Sequence, residues 1–265
     1  MSGARVSQAE LRDLGLRLSG RDRAILWQVG QLRLMSGRQI EAVHFPFDAH
    51  ATAATAARHC RRVLERLVRG RLLVRLERRV GGVRAGSQTF IYGLGPIGHR
   101  LLHEDGTRLR SYEPGLAFVD HQLAVSQLVV DLILASRSGQ LELLGVQGEP
   151  VCWRNVPSVG RAVLRPDVFL FIGVGELEYR WFIEIDRATH HAPSLLRKAR
   201  LYESYYQSGV EQAKHTVFPR VIWITPNEVR AEAVERVLSA SEFTPGLMMS
   251  VATETALRTL IGAAA

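Results

Sequence analysis

The chain has 265 residues, 46% apolar and 23% charged, the balance of a globular protein rather than a disordered or fibrous one. Its two cysteines, Cys60 and Cys152, are too few for a disulfide framework or a cysteine-based zinc site. The net charge of +8 is unevenly placed: residues 1–110 hold 20 arginines against nine acids, or +11, and residues 111–265 hold 14 basic residues against 17 acids, or −3. A basic front half joined to a mildly acidic back half suggests two modules, the first facing a polyanion. No apolar run approaches the roughly 20 residues of a membrane helix. The opening Met1-Ser2-Gly3-Ala4-Arg5 lacks the apolar core of a signal peptide. A soluble, cytoplasmic protein with no membrane partner is therefore expected. Of the 34 basic residues only Lys198 and Lys214 are lysines. The arginine excess itself reads as codon bias, but a lysine that persists against it is worth inspecting.

Residues 1–18 read as a flexible lead-in with one short amphipathic stretch. Ser19-Gly20-Arg21-Asp22 supplies a helix start with Ser19 as cap, and the helix should run to about Leu34 before Met35-Ser36-Gly37 breaks it. A short helix from Ser36 to His44 follows. A longer one is predicted from Thr52 to Arg69, with Ala56, Cys60, Val63, Leu64 and Leu67 at helical spacing on its inner face. Its outer face carries Arg58, Arg61, Arg62, Arg66 and Arg69.

The period then changes. Leu72, Val74 and Leu76 alternate with polar neighbours, Gly81-Gly82 and Gly86 mark a turn, and Gln88 to Tyr92 reads as a returning strand. Gly95-Pro96-Ile97 opens a further short helix. Three helices followed by a basic hairpin is the order of a winged helix-turn-helix, predicted over residues 19–110, whose third helix would enter the major groove of DNA. The span Arg58 to Arg84 adds Arg78, Arg79 and Arg84 to the helix arginines and holds ten arginines against Glu65 and Glu77. Arginines that meet phosphates release counterions, so double-stranded DNA is the expected partner, bound in a salt-sensitive way. A solvated charged face, or a module used for protein contacts, is the plainer reading.

Ser111-Tyr112-Glu113-Pro114-Gly115 is the linker candidate. Beyond it the pattern reads as a long helix, strands near 141–146, 163–172 and 178–187, a helix from Pro193 to Ser208, and a strand from Val217 to Thr225. A helix from Pro226 to Ser239, a strand near 247–251 and a C-terminal helix finish the chain. This is an α/β sandwich over residues 116–265, within an α+β chain. No glycine-rich phosphate loop follows any strand.

Within Tyr179–Asp186 alternation puts Glu184 and Asp186 on one strand face, with Cα atoms about 6.6 Å apart. If the preceding strand pairs with it, Asp167 reaches the same face. Three converging carboxylates form the oxygen-rich setting that Mg²⁺ or Mn²⁺ prefers. Asp120 or Asp131 of the long helix could also join. The plainer alternative is an inactive scaffold whose acids pair with Arg165 and Arg187. His190-His191 is more simply read as loop than as metal ligand or phosphate contact, and Cys60, Trp153 and Trp181 as core or sheet-face residues.

The back half resembles the PD-(D/E)XK nuclease superfamily, on the helix-strand-strand-strand-helix-strand order and on Pro166-Asp167 followed 17 residues later by Glu184-Ile185-Asp186. The resemblance implies that Asp167 and Glu184 hold the metal. It also implies a lysine at the position that Asp186 occupies, so the motif departs here. Some members take the lysine from the following helix. Lys198 lies in that helix, with Tyr202 and Tyr205 four and seven residues on and sharing its face, although the basic strip Arg197-Lys198-Arg200 also fits a solvated surface. Catalytic roles would then fall on Asp167, Glu184, Asp186 and Lys198.

Over roughly residues 20–252 the chain is similar to the replication-relaxation family of actinobacterial plasmids and integrated elements. The residues that carry this are Arg165-Pro166-Asp167, Trp181-Phe182-Ile183-Glu184-Ile185-Asp186-Arg187-Ala188-Thr189, and Lys198 with Tyr202 and Tyr205. The resemblance implies an N-terminal winged helix joined to a divergent PD-(D/E)XK domain, and a part in plasmid replication and in relaxation or nicking of DNA. The alternative is a non-catalytic winged-helix regulator whose back half forms a homodimer or recruits other replication proteins.

Overall fold

Three serines, each followed three residues later by an acid or an amide, start the front helices. Ser7 opens α1 (Gln8–Arg17), Ser19 opens α2 (Gly20–Leu32) and Ser36 opens α3 (Gly37–His44). Each serine hydroxyl accepts from the backbone N–H three residues on. Glu10, Asp22 and Gln39 return a bond to the serine's own N–H, which satisfies two otherwise orphaned donors per helix. The computed structural model describes residues 6–46, 52–76, 90–102, 115–188, 191–244 and 246–255. The fold is α+β and divides into two units, residues 1–130 and 131–265.

In the first unit the span expected as a flexible lead-in carries α1, with Leu11 buried. Met35-Ser36, expected only to break a helix, lies in a short strand, β1 (Leu34–Ser36). It pairs antiparallel with β3 (Ile91–Leu94), which pairs in turn with β2 (Leu73–Leu76). Between them lies α4 (Ala53–Arg69), which buries Ala56, Cys60, Val63, Leu64 and Leu67. Arg58, Arg61, Arg62, Arg66 and Arg69 are all exposed on its other side. Arg78, Arg79 and Arg84 lie outside the described residues.

Gly95 and Gly98, at the start of α5 (Pro96–Leu102), let that helix approach the backbone before β2. A Cβ on Gly98 would sit 2.1 Å from the Leu72 carbonyl oxygen, and one on Gly95 would sit 2.3 Å from that of Arg71. No side chain fits at either position.

The long helix α6 (Leu116–Arg137) spans the division between the units. By length and mean hydropathy it could cross a membrane, which the search for apolar runs in the sequence did not expect. Two of its polar residues, Gln122 and Ser126, are nevertheless buried. Ser126 is fully buried and donates to the Leu34 carbonyl, and Gln39 of α3 donates to the Leu123 carbonyl at 3.0 Å. These bonds tie the middle turns of the helix to the first unit, while Leu116 and Leu134 stay exposed.

The second unit is built on a five-stranded mixed sheet ordered β10-β9-β8-β7-β4. Here β4 is Glu142–Gly148, β7 Val168–Val174, β8 Leu177–Ile185, β9 Arg220–Thr225 and β10 Met249–Thr253. β4, β7 and β8 run antiparallel, and β8, β9 and β10 run parallel. α7 (Ala192–Gln207) and α9 (Glu228–Ser239) supply Tyr202, Tyr205, Val234 and Leu238 to one core with Phe169, Phe182, Val221 and Trp223. The stretch read from sequence as one strand from Val163 is interrupted. Val163–Leu164 forms a small ladder, β6, with β5 (Arg154–Asn155), and the long strand begins only at Val168.

Asp22 is 2% exposed and accepts from Ser19 N–H and, at 2.6 Å, from Arg66 of α4. Burial pushes its pKa up, but the bonds from Arg66 and Ser19 outweigh burial and hold it below the ordinary 3.8. A depressed carboxylate stabilises the fold above its unfolded value, and that contribution is lost as pH falls through the folded value. Asp22→Ala should therefore cost roughly 1–3 kcal/mol at pH 7 by urea denaturation, with the difference from wild type shrinking as pH falls below 3.8. A difference that persists undiminished at pH 2–3 would contradict the assignment.

Candidate active site

The ladder between β7 and β8 pairs Val168 with Ile183, so the residue before the first faces the residue after the second: Asp167 lies opposite Glu184. The Asp167 N–H donates to the Ile183 carbonyl at 3.0 Å, and Asp167 Oδ2 accepts from the Ile185 N–H at 2.7 Å. Its carboxylate is thus fixed on the backbone of the strand that carries Glu184.

Glu184 is 2% exposed. One carboxylate oxygen accepts from Lys198 Nζ and the other from Tyr202 Oη at 2.6 Å. Lys198 and Tyr202 reach it together because residues four apart on α7 share a helix face. Burial pushes the Glu184 carboxyl up to about 8, against the pull of the Lys198 charge, with the Asp167 charge pushing further up. For Lys198 burial acts downward, but the charges of Glu184 and Asp167 outweigh it and the ammonium is stabilised. The direction that governs the site is the second. A short Nζ–carboxylate contact with two acids nearby keeps Lys198 charged and draws Glu184 toward the carboxylate form. The Tyr202 hydroxyl is held far above its ordinary range by burial and by Glu184, so it acts as a donor.

Asp186 does not converge with the other two acids. β8 ends at Ile185, and the Asp186 N–H bonds the Ile224 carbonyl at 2.8 Å. Its Oδ1 accepts from the Ala188 N–H at 2.6 Å, across a turn that puts Ala188 at φ +60°. Its Oδ2 accepts from Arg230 of α9 at 2.7 Å and 3.2 Å. The expected third carboxylate is therefore occupied by a cation the sequence analysis did not single out. Arg230 lies 44 residues away with no local signal to mark it. Nor do Arg165 and Arg187 pair with these acids. Arg187 bonds Glu254 at 2.7 Å, and Arg165 stacks on Trp153. Tyr205 turns to Glu211 of α8 (Val210–His215) instead of joining Lys198. His191 is exposed at the start of α7, and His190 lies outside the described residues. Cys152 donates to the Pro166 carbonyl at 3.0 Å, and its thiol is pushed up to about 12 by burial, so it is no nucleophile.

Among the described residues no group of three or more His, Cys, Asp or Glu could hold a metal ion. The donor set is the pair Asp167 and Glu184. Two carboxylates fit a Mg²⁺ or Mn²⁺ ion that takes its remaining ligands from water and phosphate, the usual arrangement for these ions. Each carboxylate oxygen has two lone pairs, so the bonds to Lys198 and Tyr202 do not by themselves exhaust Glu184.

Residues 26–221 match the model of the replication-relaxation family, about three-quarters of the chain. The chain belongs to the replication-relaxation family. That membership gives it a role in the replication or relaxation of plasmid or mobile-element DNA. No curated protein and no solved structure matches significantly.

Removing one partner of a buried ion pair leaves the other uncompensated, at a cost of about 3–5 kcal/mol. Lys198→Met should lose most of that, and Glu184→Gln combined with Lys198→Met should recover part of it. In a double-mutant cycle followed by urea denaturation, a coupling energy of about 1–3 kcal/mol is expected. Strict additivity would show that the two side chains do not meet in solution.

Proposed function

We propose that this replication-relaxation protein binds double-stranded DNA through a winged helix-turn-helix in its first unit, and that its second unit is a divergent PD-(D/E)XK nuclease. The helix-strand-helix-helix-strand-strand order of the first unit, with a buried face on α4 and five exposed arginines on the other, supports the first half. Those arginines would meet backbone phosphates.

The observation that carries the second half is the junction of Asp167, Glu184 and Lys198 on two paired strands and the next helix. The lysine missing from the strand is supplied by α7 at the carboxylate where the motif needs it. In this reading Asp167 and Glu184 would hold the divalent ion, which when bound polarises a phosphate and lowers the pKa of a water. The Ile185 N–H fixes Asp167, Tyr202 fixes Glu184, and Lys198 brings positive charge toward a phosphorane-like transition state. Arg230 holds Asp186 aside, so the −1 at the usual lysine position is neutralised.

A second reading, a non-catalytic regulator with a partner-recruiting scaffold, has an observation in its favour. Glu184 is already matched by Lys198 and Tyr202, and Asp186 by Arg230, as expected of acids kept as structural fasteners.

One measurement tests the DNA-binding face that both readings share, and a second separates them. Replacing Arg58, Arg62 and Arg69 together by Gln should weaken duplex binding and flatten its salt dependence by about 0.9 per lost phosphate contact. Unchanged binding at every salt concentration would refute the role of α4. Supercoiled plasmid should be nicked in Mg²⁺ or Mn²⁺, not by Asp167→Ala or Glu184→Gln, and more slowly by about 10²-fold or more with Lys198→Ala. The absence of both nicking and metal binding by calorimetry would leave the scaffold reading standing.

A further inference from the structure

Three successive residues, Cys152-Trp153-Arg154, grip the segment that leads into Asp167. Cys152, fully buried, bonds the Pro166 carbonyl. Arg154 bonds buried Glu211 at 2.7 Å, and Glu211 also accepts from Tyr205 at 2.9 Å, so the grip is anchored on α7 and α8. Between them Trp153 lies under Arg165, whose guanidinium carbon is 4.6 Å from the ring centroid.

Arg165 is exposed and, among the described residues, forms no ion pair, although the back half of the chain carries more acids than bases. Stacking occupies the flat face of a guanidinium and leaves its N–H edge donors unspent. That planar fork matches two oxygens of a phosphate. An arginine already held on an indole has less side-chain freedom to lose on binding. Its Cα is within about 7 Å of that of Asp167, since only Pro166 separates them.

We propose that Arg165 is a phosphate-positioning residue. Stacked on Trp153, it takes a DNA backbone phosphate beside the Asp167–Glu184 pair and so sets where the strand lies over the second unit. This rests on the reading that the second unit acts on DNA. It assigns the contact to a residue outside the nuclease motif and outside the arginines of α4.

The test is binding of a fluorescein-labelled duplex by the full chain, followed by anisotropy over a KCl series in EDTA, so that no metal is needed. Arg165→Gln, at an exposed position, should lower affinity roughly three- to tenfold and flatten the plot of log affinity against log salt by about 0.9. Arg165→Lys keeps the charge but neither stacks flat nor binds two oxygens, so it should keep the slope and lose affinity. Trp153→Leu should behave like Arg165→Lys. If wild type binds and Arg165→Gln matches it in affinity and slope, this inference falls and DNA binding stands. If wild type binds no duplex at all, both fall.

Discussion

A carboxylate taken out of water must find its compensation inside the protein, and much of the second unit is arranged around Glu184 doing so. Its partners, Lys198 and Tyr202, sit one helical turn apart on α7, so meeting Glu184 fixes the rotation of that helix over the sheet. The next turn of α7 places Tyr205 on Glu211, and Glu211 holds Arg154. Two buried acids thus tie α7 to β8, to α8 and to the segment before β7. Each is costly to bury and effective once paired, because losing a partner strands a charge in a medium that solvates it poorly.

The same constraint governs the setting of Asp186. A lysine there would stand beside Glu184 on the strand. An aspartate there would add a third negative charge to Asp167 and Glu184, and the structure avoids this by ending the strand one residue early and handing Asp186 to Arg230. The positive charge beside Glu184 comes from the neighbouring helix α7, and Asp186 has its own cation from α9. Both pairings act in one direction: the carboxylates that face each other across β7 and β8 remain two.

The first unit is organised differently. Its helices start on local caps, longer-range bonds from Gln39, Ser126 and Arg66 join them, and its core takes Ile25 and Val29 of α2 and Ile40 of α3 as well as the inner side of α4. Arg66 shows how surface and fold share residues there. It is half-exposed on the arginine-bearing side of α4, yet it bonds buried Asp22, the acid of the α2 capping box. Charge on that helix therefore stabilises the unit as well as facing outward.

Much of this was legible in the sequence. The inner face of α4 followed from the spacing of Ala56, Cys60, Val63, Leu64 and Leu67. Asp167 was expected to reach the face of Glu184 if the two strands paired, and Lys198 was singled out by its rarity and by the superfamily resemblance. These are matters of period and local chemistry, which neighbours in the chain determine. The Ser7–Glu10 box was there to be read as well, and α1 was missed by treating the start of the chain as a lead-in. What only the tertiary structure decided depends on residues far apart in sequence: Arg230 on Asp186, Glu211 under Tyr205, and Trp153 beneath Arg165. A buried charge takes whichever partner the packing brings within reach, and no periodicity encodes that choice.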